Sequence, residues 1–247
     1  MTLPVFITQA TLVAGQTVSL DGDDGRHAVS VRRLRVGELI ELTDGNGTRA
    51  VCEVVSLAKH SLVALVNSAQ VEAPSELTFT VVQALAKGDR SDLALEILTE
   101  VGADIIVPWA AAHSIAKWDD STKGQAKWQR TVQESMKQSR RSYLPAVTDL
   151  HSTAQVCEIL ASADLAVVLH ESADTAFAEL ELPQAGSVVI VVGPEGGISP
   201  LELAAFSQAG AAITQMGRSV MRTSTAGGIA LGVLISRTKR WAIRNGQ

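Results

Sequence analysis

From residue 77 onward, the sequence alternates between short apolar runs of strand length and longer segments with helical periodicity. The predicted strands cover residues 77–85, 105–109, 165–169 and 188–192. Short runs that are apolar throughout are typical of strands buried on both faces. The alternation therefore predicts an α/β domain in which helices cover the faces of a parallel sheet.

Helix signals occupy the intervals between these strands. We predict helices at residues 91–101, 125–139, 200–210 and 226–237. Gly102 stops the first helix, because a glycine just past the last turn readily takes a left-handed backbone. The third helix begins with Ser199-Pro200-Leu201-Glu202, a capping box with proline at the first helical position.

Residues 1–70 are β-rich and lack this alternation. Asp44-Gly45-Asn46-Gly47 predicts a tight hairpin turn, since glycine and asparagine tolerate positive φ. Strands are predicted after it at 48–55 and 61–66, and one or two helical turns at 27–34. The pattern favours a small barrel.

The polar stretch at residues 67–76 marks the change between these two textures. It contains Pro74 and few apolar side chains, which is typical of a connection between domains. We therefore predict two domains, residues 1–72 and residues 73–247.

Composition places the chain among soluble globular proteins, with 46% hydrophobic and 19% charged residues. No apolar run reaches the roughly 20 residues that span a bilayer, and no secretory signal is visible. Cys52 and Cys157 form neither a metal-ligand nor a disulfide pattern. We therefore expect a cytoplasmic protein that binds neither a metal nor a membrane.

Positive charge is concentrated locally although the net charge is −5. Residues 25–37 hold four arginines and no acidic residue, and residues 123–141 hold six basic residues and one glutamate. Binding of a polyanion depends on local potential more than on total charge. Each cluster indicates either a nucleic-acid surface or an ordinary solvated face.

Two glycine-bearing segments are predicted at strand-to-helix turns, where backbone N–H groups can face a ligand. Gly193-Pro194-Glu195-Gly196-Gly197 follows the apolar run at 188–192, and residues 216–226 precede the one at 229–235. The first segment is neither a phosphate loop nor a dinucleotide fingerprint. Pro194 removes one donor, which favours a neutral or zwitterionic cofactor over a pyrophosphate. Either segment alone is also typical of a turn that binds nothing.

Five segments resemble, in order and spacing, the RsmE-type family of ribosomal RNA small subunit uridine-N3 methyltransferases, of the SPOUT class. The segments are HAVSVRRLRVG (27–37), ALAKGDRSDLALEILTEVG (84–102), KWQRTVQESMKQSRRSYLP (127–145), VVGPEGGISP (191–200) and MGRSVMRTSTA (216–226). Together they extend over nearly the whole chain, and the last two form the most specific joint signal.

The resemblance implies an α/β fold with a small N-terminal PUA-like β-barrel that binds RNA. It also implies a C-terminal SPOUT α/β domain with a deep trefoil knot, which general rules of chain topology would not lead one to expect. The implied cofactor is S-adenosylmethionine, and the implied substrate is 16S rRNA in the small ribosomal subunit. A homodimer is implied as well, in which the partner subunit completes each active site.

The resemblance also assigns residues to roles. The cofactor-binding residues are Leu169, His170, Gly193, Pro194, Glu195, Gly196, Gly197, Met216, Gly217, Val220, Met221, Arg222, Thr223 and Ala226. Arg222 is the candidate catalytic residue, because a guanidinium fork can bind the carbonyl oxygens of a base; a structural tie between loops is its alternative role. No general base is predicted.

Basic side chains are expected to contact RNA phosphate, and Lys87 and Arg90 are expected to contact either phosphate or the target base. The predicted RNA-binding residues are Arg26, His27, Arg32, Arg33, Arg35, Lys87, Arg90, Arg140 and Arg141. His27 could equally be a core histidine. N3 of uracil is hidden in a Watson–Crick pair, so the target base is expected in an accessible or locally opened RNA element.

Four positions depart from the family pattern. Ser224 stands where the family usually has glutamate, so an acid or base role there is unsupported. Lys137, His113 and Ile97 replace a common Glu, Arg and Lys, and we expect these three to affect RNA or dimer contacts rather than the cofactor site.

Other functions stay open at this point. The chain could be a SPOUT methyltransferase that acts on transfer RNA or on another ribosomal nucleotide. It could be an RNA-binding assembly factor without activity, or a nucleotide-binding protein of the Rossmann type, which would bind ATP or NAD instead of S-adenosylmethionine.

Overall fold

The computed structural model describes residues 3–241, which form two compact units. Unit 1 contains the chain up to Pro74 together with Met136–Leu144. Unit 2 contains Ser75–Ser135 and the chain from Pro145 onward. The domain limits at residues 72 and 73 stay a prediction, because these units are defined by packing and the first includes a segment distant in sequence.

Unit 1 is built on a five-stranded sheet of order β1-β3-β4-β5-β2. Its strands are β1 (Val5–Ile7), β2 (Thr17–Leu20), β3 (Leu39–Thr43), β4 (Thr48–Leu57) and β5 (Leu62–Val71). The pair β1–β3 is parallel, whereas β2–β5, β3–β4 and β4–β5 are antiparallel. Helix α1 (Gly22–Arg26) and a π-helical turn (His27–Val31) connect β2 to β3, so a helical segment is confirmed there.

The predicted hairpin turn joins β3 to β4. Gly45 and Gly47 have φ of 71° and 103°, which explains why glycine stands at both positions. The Asp44 carboxylate accepts the N–H groups of Asn46 and Thr48 at 2.7 and 2.9 Å. Burial raises the pKa of Asp44, but these hydrogen bonds together outweigh burial and lower the pKa below its ordinary value.

Strand β5 continues to Val71, five residues beyond the predicted end at residue 66. Its second half pairs with the start of β4, where Arg49 faces Gln70 and Val51 faces Ser68. Most side chains of this half are exposed, so polar residues are tolerated while the backbone hydrogen bonds are kept. The polar residues at 67–71 therefore belong to a solvent-exposed strand and not to the predicted connection between domains.

Unit 2 is built on a seven-stranded sheet of order β10-β12-β9-β11-β6-β7-β8, in which all pairs are parallel. Its strands are β6 (Leu77–Ala84), β7 (Ile105–Trp109), β8 (Ala146–Val147), β9 (Leu165–Leu169), β10 (Thr175–Ala176), β11 (Gly186–Val192) and β12 (Ala212–Gln215). The four predicted strands and the parallel sheet are confirmed. β8, β10 and β12 were not predicted, because runs of two to four residues give no clear periodicity.

Five helices connect these strands: α2 (Asp89–Val101), α3 (Ser121–Ser139), α4 (Thr153–Ser162), α5 (Pro200–Gln208) and α6 (Thr223–Ile235). The four predicted helices are confirmed, although α3 begins four residues and α6 three residues earlier than expected. Helix α4 was missed, yet Ser152 and Gln155 form a capping box at its start that the sequence displays. No helix within residues 3–241 has the length and hydropathy of a membrane span.

Candidate functional site

A cleft of about 570 Å³ lies in unit 2, at the carboxyl ends of β9, β11 and β12. Open parallel sheets bind ligands at this edge, because the loops after neighbouring strands meet there. Three segments and Arg90 form its walls; the segments are residues 169–171, residues 192–198 and residues 215–226.

The first glycine loop, residues 193–197, is closely packed. The N–H of Gly197, whose φ is +76°, donates to the Pro194 carbonyl at 2.9 Å. A Cβ atom on Gly193 would approach Ile198 Cγ1 to 2.7 Å, and one on Gly196 would approach the His113 carbonyl oxygen to 3.0 Å. A side chain at Gly193 would therefore displace Ile198, and one at Gly196 would require His113 to shift by a few tenths of an ångström.

The loop also carries a carboxylate that binds a second segment. Glu195 Oε1 accepts the Lys87 backbone N–H at 3.3 Å and lies 3.4 Å from Arg90 Nη1. Glu195 Oε2 is buried and has no hydrogen-bond partner within the described residues. Glu195 thus joins the loop after β11 to the loop after β6.

The second glycine loop, residues 216–222, leads from β12 into α6. Arg222 is the N-cap residue of α6, and its carbonyl accepts the N–H groups of Thr225 and Ala226, both at 2.9 Å. Its exposed guanidinium forms no ion pair or hydrogen bond within residues 3–241. Val220, on the same loop, is 76% exposed. This loop is held mainly at its ends.

The third wall is the end of β9. The Ser172 backbone N–H donates to His170 Nδ1 at 3.2 Å, so this nitrogen acts as an acceptor. The neutral imidazole therefore carries its proton on Nε2. The side chain of Gln215 donates to the Glu171 carbonyl at 2.5 Å, which links the ends of β9 and β12.

All fourteen residues predicted to bind the cofactor line this cleft. It is also lined by residues not predicted for it: Arg90, Glu171, Val192, Ile198, Gln215 and Ser219. Most adjoin a predicted residue in the sequence, so extending each motif by one position would have found them. Arg90 is distant in sequence from the other lining residues, so only the folded structure shows that it lies beside them.

A buried network supports the first loop from behind. Glu202, 5% exposed, accepts the Ala112 N–H at 2.8 Å and the Thr153 hydroxyl at 3.1 Å through Oε1. Its Oε2 completes the capping box with Ser199. Burial raises the pKa of Glu202, but its hydrogen bonds from Ser199, Ala112 and Thr153 together lower the pKa below its ordinary value.

His113 belongs to this region as well. Its Nδ1 lies 3.1 Å from the Gly196 carbonyl oxygen. We expected a histidine at this position to affect RNA or dimer contacts rather than the cofactor site. The side chain contacts the first loop of the cleft but does not line the cleft, so the expectation stays a prediction.

The other departures from the family pattern lie elsewhere. Lys137 is buried and forms an ion pair with Asp24 at 2.8 Å in unit 1. Ile97 on α2 packs closely against Gly228 on α6. Ser224 is 4% exposed within α6. These three side chains support packing inside their units.

Of the predicted RNA-binding residues, Arg26, His27, Arg32, Arg33 and Arg35 lie in unit 1. All four arginines are exposed, and Arg26 is 3.4 Å from Asp23. His27 is half-buried, and its ring packs edge-on against Phe6 with centroids 6.1 Å apart. The histidine therefore fits the alternative of a core residue better than an RNA contact.

Arg140 and Arg141 also lie in unit 1. Arg140 donates to the Leu3 carbonyl at 2.6 Å, and its own carbonyl accepts from Arg49 at 2.6 Å. These contacts favour a structural role for Arg140, whose φ of 57° is itself unusual outside glycine. Lys87 and Arg90 lie in unit 2, where Arg90 lines the cleft and Lys87 is exposed.

Comparison with known proteins adds to this geometry. The sequence pattern of an RNA methyltransferase domain matches residues 73–235, and that of an RNA methyltransferase PUA domain matches residues 20–67. The chain belongs to this RNA methyltransferase family. The predicted fold class is thereby confirmed, with a PUA-like N-terminal domain and a SPOUT-like parallel sheet. The trefoil knot stays a prediction.

Relatives of this RNA methyltransferase cover nearly its whole length. The ribosomal RNA small subunit methyltransferase E of Mycobacterium bovis is 41% identical over 247 residues, which cover 98% of this chain and 94% of that protein. The protein of the same name from Bacillus subtilis is 29% identical, covering 95% and 96%. The resemblance to the RsmE-type family is confirmed.

A solved structure supports the same relationship. The crystal structure of ribosomal RNA small subunit methyltransferase E from Neisseria gonorrhoeae, bound to S-adenosyl methionine, superposes with a TM-score of 0.87. It is 27% identical and covers 96% of this chain and 98% of that one. A putative methyltransferase from Legionella pneumophila, with a TM-score of 0.89 and 24% identity, shares the fold.

Proposed function

We propose that this protein transfers a methyl group from S-adenosylmethionine to N3 of a specific uridine in 16S rRNA. The convergence of all fourteen predicted cofactor residues in one cleft carries this proposal. Its membership of the RNA methyltransferase family and the names of its relatives support the reaction class and the ribosomal substrate.

The residues of the cleft fit such a cofactor. S-adenosylmethionine combines a sulfonium, an ammonium and a carboxylate, so its site needs groups of both signs. Glu171 supplies an exposed negative charge, and the backbone N–H groups of the two glycine loops can face the carboxylate of the cofactor. The cleft volume of about 570 Å³ lies within the usual range for small-molecule sites.

When bound, S-adenosylmethionine supplies a methyl group that is already activated for transfer. The protein must therefore align the reacting atoms and favour loss of the N3 proton from uracil. We assign the second task to Arg222, whose guanidinium has no protein partner within the described residues and lines the cleft. A permanent positive charge there would stabilise the uracil anion and its carbonyl oxygens.

Neither His170 nor Glu195 is well placed as a general base. His170 Nδ1 accepts the Ser172 N–H, and Nε2 of the neutral ring carries the proton. Glu195 Oε1 is occupied by Lys87 and Arg90. We therefore propose that the N3 proton leaves to water while cationic groups stabilise the anion that remains.

We further propose that the protein is a homodimer that works on the small ribosomal subunit in the cytoplasm. Helix α6 has no charged residue, and its Ile229 and Val233 are 44% and 38% exposed one turn apart. A helix that is apolar all round is normally buried. Ile229→Lys should convert the dimer to monomer in sedimentation velocity, and an unchanged sedimentation coefficient would exclude this face as the interface.

Arg32, Arg33 and Arg35 are the best candidates for RNA contacts in unit 1, because their side chains are exposed. Each Arg→Ala variant should weaken RNA binding and reduce the salt dependence of the affinity by about one phosphate contact. Arg140→Ala should instead lower the free energy of unfolding, since its guanidinium holds the Leu3 carbonyl.

The decisive experiment is methyl transfer from labelled S-adenosylmethionine to small subunits that lack the modification, followed by mapping of the modified base. We expect a single N3-methyluridine. Modification of another nucleotide would show that the proposed target is wrong. Absence of transfer would favour an RNA-binding factor without activity. Calorimetry should show binding of S-adenosylmethionine and not of ATP or NAD; the reverse would indicate a nucleotide-binding protein.

A further inference from the structure

One wall of the cleft contains an arginine that the cofactor assignment leaves unused. Arg90, in the first turn of α2, is the one predicted RNA-binding residue that also lines the cleft. We infer that Arg90 binds the target uracil opposite Arg222, and that Glu195 is the positioning residue that holds Arg90 there. This inference rests on the proposed function and specifies how the target base is bound.

The position of Arg90 is fixed through one oxygen atom. Glu195 Oε1 lies 3.4 Å from Arg90 Nη1 and accepts the Lys87 backbone N–H at 3.3 Å. A single carboxylate oxygen thus holds both the guanidinium and the loop from which α2 starts. The Arg90 side chain is 51% exposed, so its remaining N–H donors are accessible to a ligand.

The carboxylate itself has little freedom to move. It follows Pro194 in the tightly turned first loop, and its side chain is 19% exposed. The buried Oε2 has no partner within residues 3–241, although an unpaired buried oxygen costs stability. Such a cost at a ligand cleft is expected where a side chain is kept for function rather than for packing.

Competing carboxylates do not explain the placement of Arg90. Asp92, two residues further along α2, is engaged by Lys127, whose Nζ lies 2.9 Å from Oδ2. Among the described residues, the ion pair of Arg90 is therefore with Glu195. A partly exposed pair of this kind contributes little to folding, so its loss should leave the protein stable.

The chemistry of uracil offers a position for each of two such groups. When N3 loses its proton to water, the negative charge spreads onto the carbonyl oxygens O2 and O4 on either side of N3. The N3 lone pair then forms the bond to the methyl carbon as the sulfur–carbon bond breaks, and that bond's electron pair stays on sulfur. Arg90 and Arg222 lie at the starts of different helices that line one cleft, so each can bind one carbonyl oxygen.

The test is single-turnover methyl transfer at saturating RNA, with variants of both residues. Removal of a preorganised donor to a developing negative charge slows such reactions by roughly 100-fold, which we expect for Arg90→Ala. Glu195→Gln should slow transfer by roughly tenfold in the presence of Arg90, and not at all in the Arg90→Ala background. Arg130→Ala, an exposed arginine of α3 away from the cleft, is the matched control and should match the wild type.

A second readout does not depend on methyl transfer. RNA that carries 5-fluorouridine at the target has a more acidic N3, so its binding to the protein without the methyl donor should strengthen as pH rises. Arg90→Ala should reduce this pH dependence, because Arg222 alone remains to bind the anion, and Arg90→Lys should restore part of it, since charge is kept but the fork is lost. A purely structural role of the pair would not change this profile.

Two results would overturn the inference. One is a wild-type transfer rate for Arg90→Ala at saturating RNA, with or without a weaker RNA affinity, which would make Arg90 a phosphate contact. The other is a double variant in which the fold-decrease of the transfer rate equals the product of the two single decreases. That result would show that Glu195 acts independently of Arg90. Absence of transfer by the wild-type protein would instead refute the proposed function.

Discussion

The two glycine loops of the cleft differ in how the protein holds them. The loop at residues 193–197 has an internal turn, a contact with His113 and a carboxylate that binds the loop after β6. The loop at residues 216–222 leaves the Arg222 guanidinium and Val220 exposed. The first loop is therefore shaped before any ligand arrives, whereas the second offers groups that a ligand must engage.

This contrast suggests that the first loop binds the cofactor and that the second loop acts during methyl transfer. A preformed main-chain surface binds a cofactor without reorganisation, and an unpaired cation becomes useful only when negative charge develops beside it. Gly196→Val in the first loop should therefore change cofactor binding, and Arg222→Ala in the second loop should change the rate of transfer.

The largest effect is expected at Gly196. In Gly196→Val, the Cβ atom alone would lie 3.0 Å from the His113 carbonyl oxygen. The rest of the side chain would obstruct the approach of a ligand to the main chain. Overpacking costs about 1–3 kcal/mol, so if this cost falls on the loop that binds the cofactor, calorimetry should show an affinity lower by roughly 5-fold to 150-fold. Gly232→Ala, where a Cβ would meet only ordinary contacts, is the control. Unchanged affinity of Gly196→Val would refute the preformed surface.

Arg222→Ala tests the second glycine loop, where we expect an effect on the transfer rate. Its guanidinium has no partner within residues 3–241, so folding and cofactor affinity should be preserved while transfer slows by roughly 100-fold. Arg218→Ala, on the same loop but outside the cleft lining, should transfer at the wild-type rate. If Arg222→Ala turns over normally, the cationic role is wrong.

A smaller effect is expected behind the first loop. Glu202→Ala removes the acceptor of the Ala112 N–H and of the Thr153 hydroxyl, and it breaks the capping box. Loss of a cap and of buried hydrogen bonds should lower the free energy of unfolding by about 1–3 kcal/mol in urea titrations. Glu158→Ala, on α4, is a surface control. Equal stability of both variants would show that the network does not hold this region.

The smallest effect concerns pH. The pKa of folded Glu202 lies below its ordinary value of 4.5, so its contribution to stability is present above pH 4.5 and is lost as pH falls through the folded value. Urea titrations from pH 6 downward should therefore show a shallower loss of stability for Glu202→Gln than for the wild type. If the free energies of unfolding of the wild type and of Glu202→Gln fell in parallel with pH, the Glu202 carboxylate would not be stabilising.

Much of the fold could be predicted because its signals are local. β7 and β9 match their predicted limits, and the Ser199 capping box starts α5 as expected. Strand β5 was cut short because polar side chains on an exposed strand resemble a connection. Helix α4 was missed even though its capping box is present in the sequence.

The sequence by itself determined the alternation of strands and helices, the two glycine loops and, through family resemblance, which residues line the cleft. Only the tertiary structure brought Arg90 to Glu195, 105 positions away, set His113 against Gly196 and engaged Arg140 within unit 1. Periodicity, caps and turns depend on neighbours a few residues apart, so a sequence displays them directly. Contacts between distant residues depend on the order of strands in the sheet, which hydrophobic patterning alone leaves open.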